Sequence, residues 1–337
     1  MRKILQYLLR KPLTWIGNTL AASPKQEIVF SSLSALYQQG LTDKDNAVKT
    51  IHSDVSTAKF IIFSDQHKGN KSWADDFQLS EQNYCAALEH YHKEDFHFIN
   101  LGDSEELWKF KTAELLVPNE KSLALESAFH PQRYTKTFGN HDIIWKDKFA
   151  VNFYLKKYYP PSLTVYEGVL LQINGLSIPL NIFCTHGHQG DLMSDNNAFS
   201  TWIVAHIWMP VQRFLRININ SASMDFSLRN QHNKMMHEWS SERRNLLLIT
   251  GHTHSPVFAS GRYFQHPNNK ILPIEDNTLV RPSYFNTGCC CFNDGDITGI
   301  EIADGYIRLV KWYDENELSV KKVLEEISFD ALVQDLH

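Results

Sequence analysis

The sequence predicts an α/β protein whose sheets are covered by helices, on three observations. Short apolar runs recur along the chain, and each ends abruptly in Gly, Asp, Asn or His: KFIIFSD (59–65), FHFINLGD (96–103), YTKTFGNH (134–141), LNIFCTHG (180–187) and LLLITGH (246–252). Helical patterns, such as those over 82–92 and 146–158, lie between these runs. Further strand-like stretches at 284–287, 297–302 and 306–312 follow near the C-terminus. Unbroken apolar runs of this length suit strands buried on both faces. Strands that alternate with helices suit sheets with helices packed over them.

The bulk properties bound this picture. The chain has 337 residues, 43% hydrophobic and 21% charged, enough for a well-filled core in one large domain or two smaller ones. A net charge of -5 gives no basic field over the whole chain, so there is no strong nucleic-acid signal. The five cysteines include three in a row at 289–291. Adjacent cysteines make strained disulfides, so a reduced, cytoplasmic compartment is expected. Cys184 and the triplet are read as small apolar fillers in buried strands. The triplet is not expected to bind zinc, because neighbours along a strand point to opposite faces.

Residues 1–57 read as a partly helical N-terminal extension, with a polar loop at Asp43, Lys44, Asp45 and Asn46. The segment MRKILQYLLRKPLTWIG is basic and amphipathic, and Gln6, Arg10 and Lys11 break its apolar run, so it is not a good signal peptide. Leu5, Leu8, Leu9, Trp15 and Ile16 either dock on the domain or dip into a membrane surface, with Arg2, Lys3, Arg10 and Lys11 facing anionic lipid. A domain over 58–313 and a C-terminal tail over 314–337 complete the division.

The polar residues fall in a telling place. Each group lies just beyond the C-terminal end of an apolar strand, the edge at which loops of layered α/β folds converge into a site. Asp65 and His67 are two apart; in extended chain such residues face one side and can share an ion. Asp103 follows Gly102 and has two oxygens that can bridge two cations. Glu106 would sit one turn away on the same side if a helix began there. Taken singly, Asp103 reads as a helix N-cap and Glu106 as a first-turn acid. Asn140, His141 and Asp142 follow the third strand; Asn140 offers a neutral carbonyl ligand, and His141 suits an acid better than a ligand. His186 heads THGHQGD, and His252 and His254 repeat the spacing of two. Each group would be bland alone; five of them at equivalent strand ends predict a two-metal site.

The series SDQH, GDSEE, GNHD, THG and GHTH resembles the calcineurin-like metallophosphoesterases, over about residues 59–313. The resemblance implies a four-layer α/β/β/α sandwich with a dinuclear centre. It implies one metal held by Asp65, His67, Asp103 and His254, and another by Asp103, Asn140, His186 and His252, with Asp103 as the bridge. Nitrogen and oxygen donors without thiolate suit Mn, Fe or Zn as two divalent ions. Such a pair ionises a water for direct attack on phosphorus, holds the phosphate oxygens and offsets charge in the displacement, with no Ser or Cys nucleophile. His141 is the expected proton donor to the leaving group, oriented by Glu106.

The stretch from 191 to about 245 reads as a helical insertion. It is either a hairpin packed on the sandwich or a cap whose Arg213, Arg216 and Arg229 meet phosphate and whose Trp202 and Trp208 meet an apolar substrate. His206, Gln212 and Arg213 interrupt it, so it is no confident membrane span. His188 is the nearest further candidate for a substrate contact. LGDSEELW (101–108) and THGHQGD (185–191), together with the insertion, resemble the branch that includes UDP-diacylglucosamine pyrophosphatases. His141 departs from that branch's habit after Asn, which leaves mono- and diesters open. The expected substrate is a phosphorylated small molecule or a nucleotide-sugar or lipid-like pyrophosphate. A Ser/Thr protein phosphatase is the alternative, although Leu107 and Trp108 stand where that group's Arg-Gly is expected. A non-catalytic scaffold is the third reading.

Overall fold

The structure is a computed structural model and describes residues 25–42, 47–190, 226–260 and 281–336. Twelve strands among the described residues form two sheets. The first sheet has the order β1-β6-β7-β8-β9: Val48–Asp54, Gly168–Asn174, Leu180–Thr185, Leu246–Thr250 and Tyr284–Asn286. The second has the order β12-β11-β10-β2-β3-β4-β5: Leu318–Ser328, Tyr306–Glu315, Ile297–Ala303, Phe60–Phe63, His97–Leu101, Tyr134–Thr137 and Val165–Tyr166.

The two-residue alternation of a strand explains the layers. In β2, Phe60 and Ile62 face the first sheet and pack with Val169, Ile182 and Ile249. The intervening Ile61 and Phe63 face outward and pack against Tyr84, Leu88 and Tyr91 of helix α2 (Glu81–Lys93), in a layer that also holds Leu123 and Phe129 of α4 (Glu120–Phe129). On the far face of the first sheet, Leu170, Phe183 and Leu248 meet Val29 and Leu33 of α1 (Gln26–Thr42) and Met236 and Trp239 of α6 (Phe226–Ser241). Strands apolar on both sides therefore produce α/β/β/α layering, as expected. The remaining helices are α3 (Thr112–Leu116), α5 (Lys148–Tyr154) and α7 (Phe329–Asp335). The helical pattern read over 146–158 is a 3-10 turn at Ile143–Lys146 followed by the short α5.

The domain edges differ from the sequence reading. Part of the presumed N-terminal extension belongs to the body: α1 covers the first sheet, and β1 pairs in parallel with β6 along seven residues. Likewise the described part of the C-terminal tail, 314–336, is packed: β12 pairs antiparallel with β11, and α7 places Phe329 and Leu332 in the core between the sheets. Both strands lie at sheet edges and carry one exposed face, which removes the unbroken apolar run that marked the others. His97 opens β3 half-buried, with its Nε2 2.8 Å from Thr135 Oγ1. Of the insertion the structure describes residues 226–245, where α6 packs on the first sheet through Met236 and Trp239 and sets His232 against His252. Arg213, Arg216, Trp202 and Trp208 lie outside the described residues, as do Asp43 to Asn46 and the basic amphipathic segment at 1–17. No helix among the described residues is long and apolar enough to cross a membrane.

Candidate metal centre

Strands β2, β3 and β4 run parallel, as do β7 and β8, so their C-terminal ends gather at one edge of the sandwich. There the chain continues in ordered loops. The amides of Asp65, His67 and Lys68 donate to the carbonyls of Gly102, Asp103 and Ser104 at 2.9–3.1 Å, carrying the β2–β3 pairing past the strands. Across the other sheet, the Gly251 amide donates to the His186 carbonyl at 3.0 Å.

Five strand ends converge. Asp103 Oδ2 lies 3.1 Å from His186 Nε2 and 3.8 Å from His67 Nε2. Asp65 Oδ1 lies 3.2 Å from His254 Nε2 and 3.7 Å from His67 Nε2. The other oxygen of each carboxylate is anchored: Asp65 Oδ2 accepts from the His252 amide at 2.9 Å and from Ser64 Oγ, and Asp103 Oδ1 accepts from the His141 amide at 2.7 Å. Donor atoms of Asp103, His186 and His252 lie within 4.8 Å of one another, as do those of His67, Asp103 and His141. Asp65 Oδ1, Asn140 Oδ1 and His186 Nε2 are fully buried without a hydrogen-bond partner. Orphaned buried acceptors and imidazole nitrogens that converge are costly in an apolar interior. Divalent cations remove that cost, and this nitrogen and oxygen donor set fits them.

The route to this geometry is not the one the spacing suggested. Asp65, His67, His252 and His254 all have left-handed backbone, with φ of 54°, 49°, 69° and 53°. The i and i+2 side chains converge through two kinks and not through an extended strand. Nor does a helix follow Asp103: Glu105 makes an isolated bridge with Lys68, and the Glu106 amide donates to the Lys68 carbonyl at 3.1 Å just before the turn at 107–109. Two glycines are required by crowding. A side chain on Gly139 would strike the Asp103 carboxylate, and one on Gly251 would strike Ser64 and Asp65.

Electrostatics keep the acids ionised. Burial pushes the Asp65 and Asp103 carboxyls up, but His186 and His254 beside Asp65, and His186 and His141 beside Asp103, hold both well below the usual range. Burial favours neutral His186, yet Asp103 and Asp65 push it up to about 9. His252 moves the other way, depressed by burial and then by His232 and His186. Glu106 is buried and nevertheless held low by His141 and His67, whose Nδ1 atoms lie 2.9 and 3.2 Å from its two oxygens.

His188 is buried beside His186, with ring centroids 5.5 Å apart and an unpartnered Nδ1. Burial and then His186 push its imidazole down to about 3. Three residues that the sequence reading did not place in the site also stand here. Asp142 accepts from the Gly139 amide (2.7 Å) and the Ser104 amide (2.9 Å), tying the third strand's loop to the second's. Trp108 stacks on His141. Cys291 lies in the β9–β10 loop and not in a strand, and its Sγ is 3.8 Å from His254 Nδ1. Its donor atom falls within 4.8 Å of those of His67 and His254, so the argument from alternating strand faces does not apply to it. The GNHD and SEELW strings contained two of these residues; the third is brought in by tertiary folding alone.

The strand ends of both sheets thus bring the Asp103 carboxylate up against imidazoles of either sheet, His67 and His186, in a donor set suited to divalent cations. The profile of the calcineurin-like phosphoesterases matches residues 58–256, and the chain belongs to that family. No curated protein matches the sequence. Among solved structures, Vacuolar Protein Sorting 29 from Cryptosporidium parvum is similar at 13% identity and a TM-score of 0.31, over 80% of this chain and 98% of that one. A single mutant of Vps29 from Entamoeba histolytica is similar at 12% identity and 0.33, over 80% and 99%. A dimetal phosphatase from Danio rerio is similar at 9% identity and 0.41, over 80% and 100%.

Proposed function

We propose that this chain hydrolyses phosphate esters or pyrophosphates with two divalent metal ions. Asp65, His67, Asp103 and His254 would hold one ion; Asp103, Asn140, His186 and His252 would hold the other. The observation that carries the reading is the position of Asp103 Oδ2 between His67 Nε2 and His186 Nε2, with the orphaned buried oxygens Asp65 Oδ1 and Asn140 Oδ1 in the same site. Such ions supply electrophilic charge to the phosphoryl oxygens and lower the pKa of water at neutral pH. The chain's own residues do the rest. Asp65 and Asp103 remain ionised and fixed by backbone amides, so the charge of the site is set before substrate arrives. Glu106 engages His141 Nδ1, which leaves Nε2 as the nitrogen to donate a proton to the leaving oxygen.

The substrate class is a small phosphorylated molecule, a nucleotide-sugar pyrophosphate included. A protein phosphatase is disfavoured by Leu107 and Trp108 at the positions of the expected Arg-Gly, and a scaffold by the presence of every expected donor.

The test is a screen of the full chain reconstituted with Mn, Fe or Zn, with its metal content measured. Substrates are an aryl monoester, an aryl diester, a nucleotide-sugar pyrophosphate and a phosphopeptide. Cleavage of one of the first three supports the proposal; a loaded protein that cleaves no P–O bond sinks it. His141→Ala should keep its metal and lose about 10²–10⁴ in turnover on substrates with poor leaving groups. Release of metal by that variant would make His141 a ligand and not the acid.

A further inference from the structure

We infer that Trp108 is a positioning residue for His141, locking the imidazole in the one orientation from which its Nε2 can meet a leaving group. This rests on the hydrolase reading above and adds the device that makes the acid competent. The indole lies flat on the His141 ring, with centroids 3.9 Å apart and planes 16° from parallel. The same indole donates from Nε1 to the carbonyl of Asn140 at 3.0 Å, so it is tied to the backbone immediately before the residue it stacks on. The remaining freedoms of His141 are taken up by three other contacts. Its amide is held by Asp103 Oδ1, its Nδ1 by Glu106 Oε1, and the His67 ring stands nearly perpendicular, 4.5 Å away.

Each restraint removes a different motion. The hydrogen bond to Glu106 fixes where Nδ1 is but leaves the ring free to rock about that contact. The parallel indole opposes the rocking, because tilting the imidazole drives it into the face of a larger ring. A proton donor displaced by about 1 Å can cost on the order of 10² in rate, so rocking is the motion a general acid must lose. Trp108 reaches no phosphate oxygen on this account; it acts only through His141. His141 retains 15% side-chain exposure while Glu106 has 2%, so of this hydrogen-bonded pair the imidazole is the end open to solvent and the carboxylate is the buried anchor.

The experiment compares the full metal-loaded chain with W108A and W108F on two esters that differ only in leaving group. One releases an alkoxide that needs a proton; the other releases a nitrophenolate that does not. W108A should keep its metal content and its KM, and lose about tenfold to a hundredfold in kcat on the alkyl ester. Its loss on the aryl ester should be under about threefold. W108F retains a flat ring but not the Nε1 donor, and should recover most of the alkyl activity. A second readout does not depend on turnover. The His141 ring-proton signals, assigned by their disappearance in H141Q, should lose the upfield ring-current shift in W108A. Equal losses on both esters, a change confined to KM, or unmoved His141 signals would each overturn the inference while leaving the hydrolase reading in place. A loaded wild type that cleaves neither ester removes both together.

Discussion

Cys291 Sγ lies 3.8 Å from Nδ1 of His254, on the side of the ring opposite the Nε2 that faces Asp65. A histidine that binds metal through one nitrogen has its tautomer and angle set by whatever the other nitrogen meets. Here that group is a buried thiol in the β9–β10 loop, delivered by a backbone hydrogen bond from the neighbouring Cys290 amide to the Asp65 carbonyl at 3.1 Å.

Cys291→Ala is therefore expected to weaken cation binding by about tenfold to a hundredfold. Cys291→Ser keeps a polar atom against Nδ1 and should recover most of the loss. Competition with a chelator of known affinity measures both. Equal affinities for the wild type and the alanine variant would show that the thiol only fills space.

Asp103→Asn removes charge from the oxygen that both clusters share. Metal content should fall to one ion per chain or none, and kcat/KM by more than about 10², beyond the effect of losing a mere supporting contact. Elemental analysis after gel filtration measures the first and initial rates the second. Full retention of two ions would contradict the bridging assignment.

Two of the three ligand loops of the seven-stranded sheet, those after β2 and β3, rest on a buried ionic network. Lys68 Nζ is 2.5 Å from Glu126 Oε1, both side chains being wholly inaccessible, and Lys136 Nζ is 3.0 Å from Glu105 Oε2. Tyr84, Tyr134 and Tyr159 all donate to Glu126. Breaking such a pair strands a charge, so Lys68→Met should cost about 3–5 kcal/mol of stability. Lys68→Met combined with Glu126→Gln should cost less than the single change. Denaturant titration decides it; a single variant as stable as the wild type would show the network to be energetically idle.

Stability should also depend on pH through His97. Burial, with Arg133 and Lys49, pushes its imidazole down to about 4 from the ordinary 6.5. The folded state thus prefers neutral His97. That contribution is complete above pH 6.5 and is lost as the pH falls from 6.5 through 4. His97→Gln removes the titration and still offers Thr135 a partner. Its stability loss between pH 7 and pH 4 should be smaller than the wild type's by on the order of 2 kcal/mol. Parallel thermal-unfolding profiles for the two proteins would refute this.

Much of the site can be read in the sequence because its donors sit where apolar strands stop, and a strand that ends in Gly-Asp, Gly-Asn-His or Gly-His is visible without coordinates. The reasons were less legible than the residues. Asp65 and His67 meet through left-handed kinks, which a two-residue spacing does not reveal. Glu106 reaches both imidazoles from irregular chain and not from the first turn of a helix. Trp108 and Cys291 act through contacts made by folding, so no local pattern announces them. Strands β1 and β12 escape notice for a different reason: VKTIHSD and LSVKKVLEEIS are edge strands with a wet face, and their polar residues hide the period.

Each proposed ion draws its donors from both sheets. Asp65, His67, Asp103 and Asn140 extend from the seven-stranded sheet, and His186, His252 and His254 from the five-stranded one. An occupied centre is thus a rivet through the two halves of the sandwich, and loading and folding share one free energy. Dialysis against a chelator should lower the melting temperature of the whole domain as well as abolish the proposed hydrolysis, and restoring the ions should raise it again.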